Sequence, residues 1–241
     1  MSYKGAQLLP GCLESVERQT IPFQVSVDRL IVDNGSTPAI VAPEGWRVIR
    51  TDTNRGNIGG ANLCFRHAHA EWVLFLADDI RLCPGAIMEL WQRTDPMTIT
   101  QPLLLTPNGK IDNAGLHWRW PGYGVSERRK PGTEIDAIAG SCYLMRRSLW
   151  RALWGLDEAL GSSHEDVDLG LAARKLGIVS RCLPKAKAIH LGNQTLKHTI
   201  TNRRRTFHEA RVRVVRKHYR GLNRATRLGA VRLLDAIPRP W

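Results

Sequence analysis

Three carboxylates fall within four positions of one segment: Glu165, Asp166 and Asp168. They follow a short loop of glycine and serine and stand at the start of a helical pattern that Gly177 ends. Acids are favoured in a first helical turn, because unpaired backbone N–H groups and the helix dipole stabilise negative charge there. A carboxylate in a cleft can also act as a general base. The cluster alone leaves both interpretations open.

A second pair of acids ends a predicted strand. Residues 72–77 form a continuous apolar run, as expected for a strand that is buried on both faces, and the run stops at Asp78 and Asp79. Carboxylate oxygens suit a hard divalent cation, whose coordination is commonly completed by substrate phosphates. Acidic strand ends are common, so this pair also needs support from elsewhere in the chain.

Two further strand ends carry turn chemistry, at residues 33–36 (Asp-Asn-Gly-Ser) and 54–60 (Asn-Arg-Gly-Asn-Ile-Gly-Gly). Ligands of open α/β sheets bind outside the carboxyl ends of the strands, so three such ends in succession predict a pocket. Gly56 and Gly59 stand before a helix, where backbone N–H groups can bind phosphate. The sequence holds neither GxGxxG nor GxxxxGK[S/T], which argues against a dinucleotide-binding or P-loop site.

The alternation of strands and helices predicts an α/β domain with a largely parallel sheet. A stretch from residue 99 to residue 132 is turn-rich and holds Trp118, Trp120 and Tyr123. Helices are predicted at residues 7–19, 61–70, 84–93, 148–154 and from 165, and strands at residues 25–32, 46–49, 72–77, 135–146 and 179–189.

Length and composition fit one sizeable core, with 241 residues and 43% hydrophobic content. No segment resembles a signal peptide or a membrane-spanning helix. The five cysteines are scattered without metal-ligand spacing, which indicates reduced thiols and a cytoplasmic setting.

The net charge of +13 is concentrated at the C-terminus, where residues 197–241 hold 13 Lys and Arg against two acids. We therefore divide the chain into a catalytic domain, residues 1–199, and a basic amphipathic helical extension, residues 200–241. Such helices favour an anionic membrane surface, here the inner face of the plasma membrane. The alternative is a helix packed on the domain with a solvated basic side. Nucleic-acid binding is less favoured, because recognised modules and interleaved aromatic residues are lacking.

The blocks in order resemble family 2 glycosyltransferases of the GT-A fold. The resemblance rests on residues 32–37 (Val-Asp-Asn-Gly-Ser-Thr), the spacing from Asn54 to Asn62, and residues 76–79 (Leu-Ala-Asp-Asp). It continues through residues 139–147, 155–158 and 165–169 (Glu-Asp-Val-Asp-Leu). The sequence is most similar to the rhamnosyltransferase-like branch, which builds bacterial cell-surface polysaccharides.

The resemblance implies an inverting transfer of a sugar, rhamnose or a similar one, from a nucleotide-diphosphate donor to a hydroxyl of a glycan or lipid-linked acceptor. It also implies a divalent cation, Mn²⁺ or Mg²⁺. Asp166 matches the catalytic base, and Asp33 the residue that contacts the nucleotide base. The remaining assignments are donor binding by Asn34, Asn54, Gly56, Gly59 and Asp78, metal binding by Asp79 and His190, and acceptor contacts by Glu165, Asp168, Trp118 and Trp120.

Three departures from the family pattern matter. The family opens with an apolar strand, whereas Met1-Ser2-Tyr3-Lys4 stand where that strand should end. The first strand is therefore expected to be missing, and either the natural start lies upstream or this copy is a catalytically impaired partner protein. The aromatic segment before the Glu-Asp pair is replaced by Gly161-Ser162-Ser163, and Ala172 stands where an Arg is usual.

Overall fold

A computed structural model describes residues 1–128, 134–161, 163–192 and 203–236. Ser162 and the boundary predicted between residues 199 and 200 lie outside these residues, so the division into domains stays a prediction. The helices are α1 Leu9–Glu17, α2 Gly56–His67, α3 Ala86–Arg93, α4 Arg147–Ala152, α5 Glu165–Lys175, α6 Arg203–His218 and α7 Gly221–Ala236.

Two of the strands are long, β5 and β11. The full set is β1 Leu30–Asp33, β2 Arg47–Arg50, β3 Trp72–Leu76, β4 Ile80–Leu82, β5 Thr98–Leu105, β6 Ile111–Asn113, β7 Leu116–Arg119, β8 Tyr123–Ser126, β9 Glu134–Ile135, β10 Cys142–Arg146 and β11 Val179–His190.

A seven-stranded sheet forms the centre of the α/β fold, in the order β3-β10-β5-β11-β4, with β6 beside β5 and β9 beside β11. The sheet is mixed: β5 and β11 run parallel, whereas β10 is antiparallel to both β3 and β5. It is less parallel than the alternation of strands and helices indicated. The reason is that β6 returns along β5 in a hairpin, while β4 and β10 pair antiparallel with strands that are distant in sequence.

The predicted turn-rich stretch contains the most buried strand of the sheet, which corrects that expectation. Seven of the eight residues of β5 are buried, although Thr98, Thr100, Gln101 and Pro102 interrupt its apolar pattern. Gln101 is satisfied inside the protein, since its Oε1 accepts a hydrogen bond from the backbone N–H of Ala139 (2.6 Å). Polar residues that find buried partners are therefore what hid this strand in the sequence.

A separate two-stranded sheet pairs β1 with β2 in parallel. Ser2 extends it through backbone hydrogen bonds to Val32 and Asn34 (2.9 Å each), and the Met1 ammonium donates to the Leu76 carbonyl (2.9 Å). A cavity of about 490 Å³ lies between β1 and β3, lined largely by apolar side chains. In the described residues, the first strand implied by the family resemblance is thus represented by Ser2 alone.

The main core lies between the seven-stranded sheet and α2, α4, α5 and α6. Helix α6 contributes Ala210 and Val214, which are 2% and 0% exposed and join the same hydrophobic cluster as Val167 of α5. The basic helix is therefore packed on the domain. Arg213 and Arg216 are exposed, whereas Arg211 is buried. Within the described ranges, no helix has both the length and the apolar character needed to cross a membrane.

Candidate active site

Helix α5 places the acidic cluster at its first turn, as predicted. His164 precedes it with φ +63°, a left-handed conformation that redirects the chain into the helix. The Val167 backbone N–H donates to Asp166 Oδ1 (2.7 Å). Gly140 closes the space opposite, because a Cβ there would come within 3.4 Å of Glu165 Oε1. A side chain larger than hydrogen at position 140 would crowd the two acids.

The neighbouring carboxylates of Glu165 and Asp166 repel each other when both are charged. Burial raises the pKa of Asp166 well above its usual range, and the Glu165 carboxylate beside it raises it further. Burial also raises the pKa of Glu165. Two like charges in a poorly hydrated site favour a state in which the pair retains a proton. An acid with a raised pKa is a stronger base once it is deprotonated, which suits proton removal from a hydroxyl.

His164 anchors the approach to α5 in a ring cluster. Its imidazole packs edge-on against Trp118 and Phe207, with centroids 6.4 Å and 5.6 Å away. Burial and the nearby Arg211 lower the pKa of His164 to about 4, so the ring is neutral at physiological pH. This neutral aromatic contact connects α5 to both β7 and α6.

Asp78 and Asp79 follow β3 and have different surroundings. Ser2 Oγ donates to Asp78 Oδ2 (2.6 Å), while burial raises the pKa of this carboxyl. Asp79 Oδ2 lies 3.3 Å from His190 Nε2, and its Oδ1 is buried without a hydrogen-bond partner among the described residues. An unsatisfied buried carboxylate oxygen beside a histidine nitrogen fits a divalent cation of the Mn²⁺ type, which accepts both kinds of ligand.

Asp112 on β6 orients the histidine, a role that the sequence did not indicate. His190 Nδ1 and Asp112 Oδ2 are 2.7 Å apart, so the second ring nitrogen is directed toward Asp79. Burial lowers the pKa of His190, but the two carboxylates outweigh it and raise the pKa to about 9. In the part of the chain that the structure describes, no three metal-ligating side chains gather at one point. Protein ligands would therefore fill only part of a cation's coordination shell.

The turns after β1 and β2 meet through side-chain amides. Asn34 Nδ2 donates to Asn54 Oδ1 and to the Gly56 carbonyl (3.0 Å each), and its Oδ1 accepts from the Arg55 N–H (2.9 Å). Gly56 opens α2 with φ +69°, which only glycine adopts without strain. Helix α2 starts five residues earlier than predicted and so takes in Gly56 and Gly59. The predicted glycine-rich turn is the first turn of a helix.

Asp33 is fully buried, and its carboxylate is engaged on both oxygens. Oδ1 accepts from the Ser36 N–H (2.9 Å), and Oδ2 accepts from the Ile40 N–H (3.1 Å) and from Arg50 Nη1 (2.5 Å). These bonds outweigh burial and keep the pKa of Asp33 below its usual range. Arg50 is a contact that sequence reasoning missed, because it ends a strand too short to reveal which residue it faces.

Short chains of contacts connect the predicted site residues. Ser2 joins Asp78 to the β1 end through its side chain and its backbone. On the other side, the Ala77 N–H donates to the Ser141 carbonyl (2.8 Å), next to the Gly140 that faces Glu165 and Asp166. The acids at 33, 78, 79 and 166, far apart in sequence, thus lie around the adjoining ends of β1, β3 and β10.

The predicted acceptor-side residues have distinct surroundings. Asp168 is buried and is held by His218 Nε2 and Lys217 Nζ, each at 2.7 Å. Trp118 Nε1 donates to the Tyr219 hydroxyl (2.8 Å), whereas Trp120 is 62% exposed. The contacts of Asp168 and Trp118 join the domain to α6 and to the residue that follows it. No periodicity in the sequence could have indicated these long-range pairs.

The model of the family described as "Glycosyl transferase family 2" matches residues 1–154 of the chain. The chain is also 25% identical over 228 positions to the N-acetylglucosaminyl-diphospho-decaprenol L-rhamnosyltransferase of Mycobacterium tuberculosis, in the strains CDC 1551 / Oshkosh and ATCC 25618 / H37Rv. That alignment covers 75% of this chain and 73% of the relative.

Solved structures with a similar fold hold nucleotides, sugars and manganese. One is GalNAc-T7 with UDP, GalNAc and Mn²⁺, with a TM-score of 0.68 and 16% sequence identity. The match covers 88% of this chain and 46% of GalNAc-T7. Another is the mannosyltransferase PcManGT of Pyrobaculum calidifontis with GDP-Man and Mn²⁺ (TM-score 0.62, 13% identity, 97% of this chain and 67% of that one). A third is S. aureus TarS 1–349 with UDP-GlcNAc, with a TM-score of 0.62 and 15% sequence identity. The match covers 95% of this chain and 69% of that one.

At these identities the structural likeness establishes the GT-A fold alone. The family model covers well over half of the chain, and the strand ends at residues 33 and 78–79 fall within the matched residues. The chain therefore belongs to glycosyl transferase family 2.

Proposed function

We propose that the chain transfers a sugar from a nucleotide-diphosphate donor to a hydroxyl group with inversion at the sugar C1, and that Asp166 is the general base. The observation that carries this proposal is the Glu165–Asp166 pair at the start of α5, beside the strand ends that hold Asp78 and Asp79. The raised pKa of Asp166 gives it the basicity needed to remove the acceptor proton as the acceptor oxygen attacks.

The donor would lie across the ends of β1 and β3. The first turn of α2 offers backbone N–H groups to the diphosphate, and Asn34 and Asn54 fix the shape of that turn. Asp78 would contact the ribose. Asp33, with its oxygens already bonded, would contact the nucleotide base while Arg50 fixes its orientation. Donor complexes of the structural neighbours, with UDP-GlcNAc and GDP-Man, support a nucleotide-sugar donor.

Asp79 and His190 would hold a divalent cation, with Asp112 orienting the histidine. When bound, such a cation stabilises the charge of the leaving diphosphate. The diphosphate oxygens would complete the coordination, as substrate phosphates commonly do for such cations. The Mn²⁺ complexes of GalNAc-T7 and PcManGT support this assignment.

The acceptor would be a sugar joined through a diphosphate to a polyprenol, at the cytoplasmic face of the plasma membrane, in cell-surface polysaccharide synthesis. The name of the mycobacterial rhamnosyltransferase supports both this acceptor class and a deoxyhexose donor. Helix α7 adds physical support, because Leu222 and Leu233 are 80% and 68% exposed on a strongly basic helical pair. Such a surface suits contact with anionic lipid headgroups. Glu165, Trp118 and Trp120 would flank the acceptor sugar.

The test is Asp166→Asn, with Asp95→Asn as an acid-to-amide control at an exposed ion pair with Arg181, outside the proposed donor, metal and acceptor residues. Loss of a general base lowers a rate by about 10²–10⁴-fold. The transfer rate of Asp166→Asn should fall by that factor, while its Kd for the nucleotide sugar stays unchanged. Transfer is measured with Mn²⁺ and a panel of nucleotide sugars, and binding by calorimetry. Retained turnover in Asp166→Asn would remove the assigned role. Failure of the wild-type chain to bind any nucleotide diphosphate with Mn²⁺ would favour a non-catalytic partner protein instead.

A further inference from the structure

A cleft of about 870 Å³ lies between α6, α7 and the segment that follows α4. Its walls carry four cationic side chains, Arg213, Arg216, Lys217 and Arg232. Two carboxylates, Asp157 and Glu209, face them. The cleft therefore has an excess of positive charge, and it is separate from the acids described above.

The charges of the cleft are only partly paired within the protein. Asp157 binds Arg213 (3.2 Å) and Lys217 (3.4 Å), and Glu209 binds Arg205 (2.7 Å) outside the lining. Arg216 and Arg232 have neither an ion pair nor a hydrogen bond to any residue that the structure describes, and both are exposed. Two guanidinium groups, one from each helix, thus stay available to an anion.

Guanidinium groups match phosphate geometry with paired N–H donors, and two of them match an anion that has two charged centres. A diphosphate has this character, and its two phosphate groups offer one acceptor face to each arginine. The other two cations that line the space are engaged: Arg213 binds Asp157, and Lys217 is divided between Asp157 and Asp168. The free capacity of the cleft is therefore that of the arginine pair.

The cleft adjoins the acid site. Gly161 forms part of its wall, and the Gly161 carbonyl lies 3.9 Å from the place of a Cβ on Gly56, in the first turn of α2. Lys217 lines the cleft and also binds Asp168, one half-turn beyond Asp166. An anion in the cleft would be held beside the helix that carries the general base.

We propose that this cleft binds the diphosphate of a lipid-linked acceptor through Arg216 and Arg232. The inference rests on the proposed function, because that function supplies an acceptor whose sugar is linked to a diphosphate. Anchoring the diphosphate positions the acceptor hydroxyl and so contributes to the reaction through orientation. Phosphate in a lipid headgroup and phosphate in solution share the chemistry of the acceptor diphosphate. The experiment distinguishes these three sources.

The test compares Arg216→Gln/Arg232→Gln with Arg220→Gln/Arg224→Gln. The second pair removes the same charge from the same region without lining the cleft. The probes are a short-chain polyprenyl-diphosphate N-acetylglucosamine in detergent, the matching monophosphate, inorganic pyrophosphate, and phosphatidylcholine vesicles with about a quarter phosphatidylglycerol. Binding is measured directly, and donor hydrolysis with Mn²⁺ is measured alongside.

The cleft variant should weaken binding of the polyprenyl diphosphate about tenfold or more, with a smaller loss for the monophosphate. The control pair should change the diphosphate Kd by less than about threefold, as expected from general charge alone. Donor hydrolysis should stay unchanged in both. Equal losses in the two variants, or a loss confined to vesicles, would overturn the proposal, as would pyrophosphate binding without binding of the lipid. Because the binding measurement needs no turnover, a chain that binds the polyprenyl diphosphate but neither binds nor transfers a sugar from any nucleotide sugar refutes the proposed function separately.

Discussion

The small-sheet region (β1, β2 and α1) and the acid region (β10, α5 and α6) hold their carboxylates in different ways. In the small-sheet region, Asp33 ends β1, which borders a cavity of about 490 Å³. Ser2 bonds the end of β1 through its backbone and Asp78 through its hydroxyl. In the acid region, Asp166 begins a helix packed between the main core and α6. The proposed donor side thus borders a cavity, although Val32 joins the main core, whereas the helix of the proposed base is packed between the core and α6.

This difference predicts unequal responses to the same truncation. Ile99→Ala on β5 should cost about 4 kcal/mol of unfolding free energy, because the residue is fully buried in the main core. Ile31→Ala on β1 should cost about 2 kcal/mol, because the existing cavity beside it lets the site relax. Urea denaturation of both variants measures the two values. Equal losses would show that the small sheet is as tightly packed as the main one.

A second pair of variants probes how α6 is attached. Asp168 is 4% exposed and binds His218, which is 3% exposed, so Asp168→Ala should cost about 3 kcal/mol by leaving a buried partner uncompensated. Asp157→Ala removes ion pairs to Arg213 and Lys217 that are nearly half exposed, and should cost about 1 kcal/mol or less. Thermal unfolding compares them. If Asp157→Ala costs as much, the attachment depends on the surface pairs.

The proposed metal ligands offer a test outside these two regions. Asp112→Asn keeps the hydrogen bond to His190 Nδ1 but removes the charge that orients and polarises the ring. Loss of such a supporting contact should weaken Mn²⁺ binding about 10–100-fold, with the nucleotide present. Calorimetric titration with Mn²⁺ measures it. An unchanged affinity, with Asp79→Asn losing binding as the positive control, would restrict Asp112 to a structural role.

The smallest expected effect is a shift of a pH profile. Because the pKa of Asp166 is raised, the residue holds its proton at neutral pH, and the transfer rate should increase as the pH rises through that pKa. Glu165→Gln removes a like charge, which lowers the pKa of Asp166 and should move the rising limb by about one unit to lower pH. Rates over about pH 5.5 to 9 test this. A shift to higher pH would contradict it.

Local chemistry in the sequence was enough to predict the strand ends and the acidic helix. The apolar run of β3 and the stop at Asp78 are one example, and the first turn of α5 is another. The GT-A fold followed from the order of these blocks. Their presence in one chain, in the family's order, predicted more than the periodicity of any one element did.

The contacts that secure the site could not be predicted in the same way. Asp112 reaches His190 across 78 positions, and His218 reaches Asp168 across 50. Such pairs depend on the order of the strands and on how a helix packs against the domain, and no local sequence pattern predicts either. The buried polar residues of β5 show the same limit, since Gln101 looks like a turn residue until its partner Ala139 is known.

The docking of α6 has a practical consequence for anyone preparing the enzyme. Deleting the arginine-rich C-terminal residues to reduce nonspecific binding would also remove Ala210 and Val214 and leave the groove that receives them open to water. Such a shortened protein should aggregate. Nonspecific binding is better reduced by replacing exposed arginines, such as Arg220 and Arg224, one at a time.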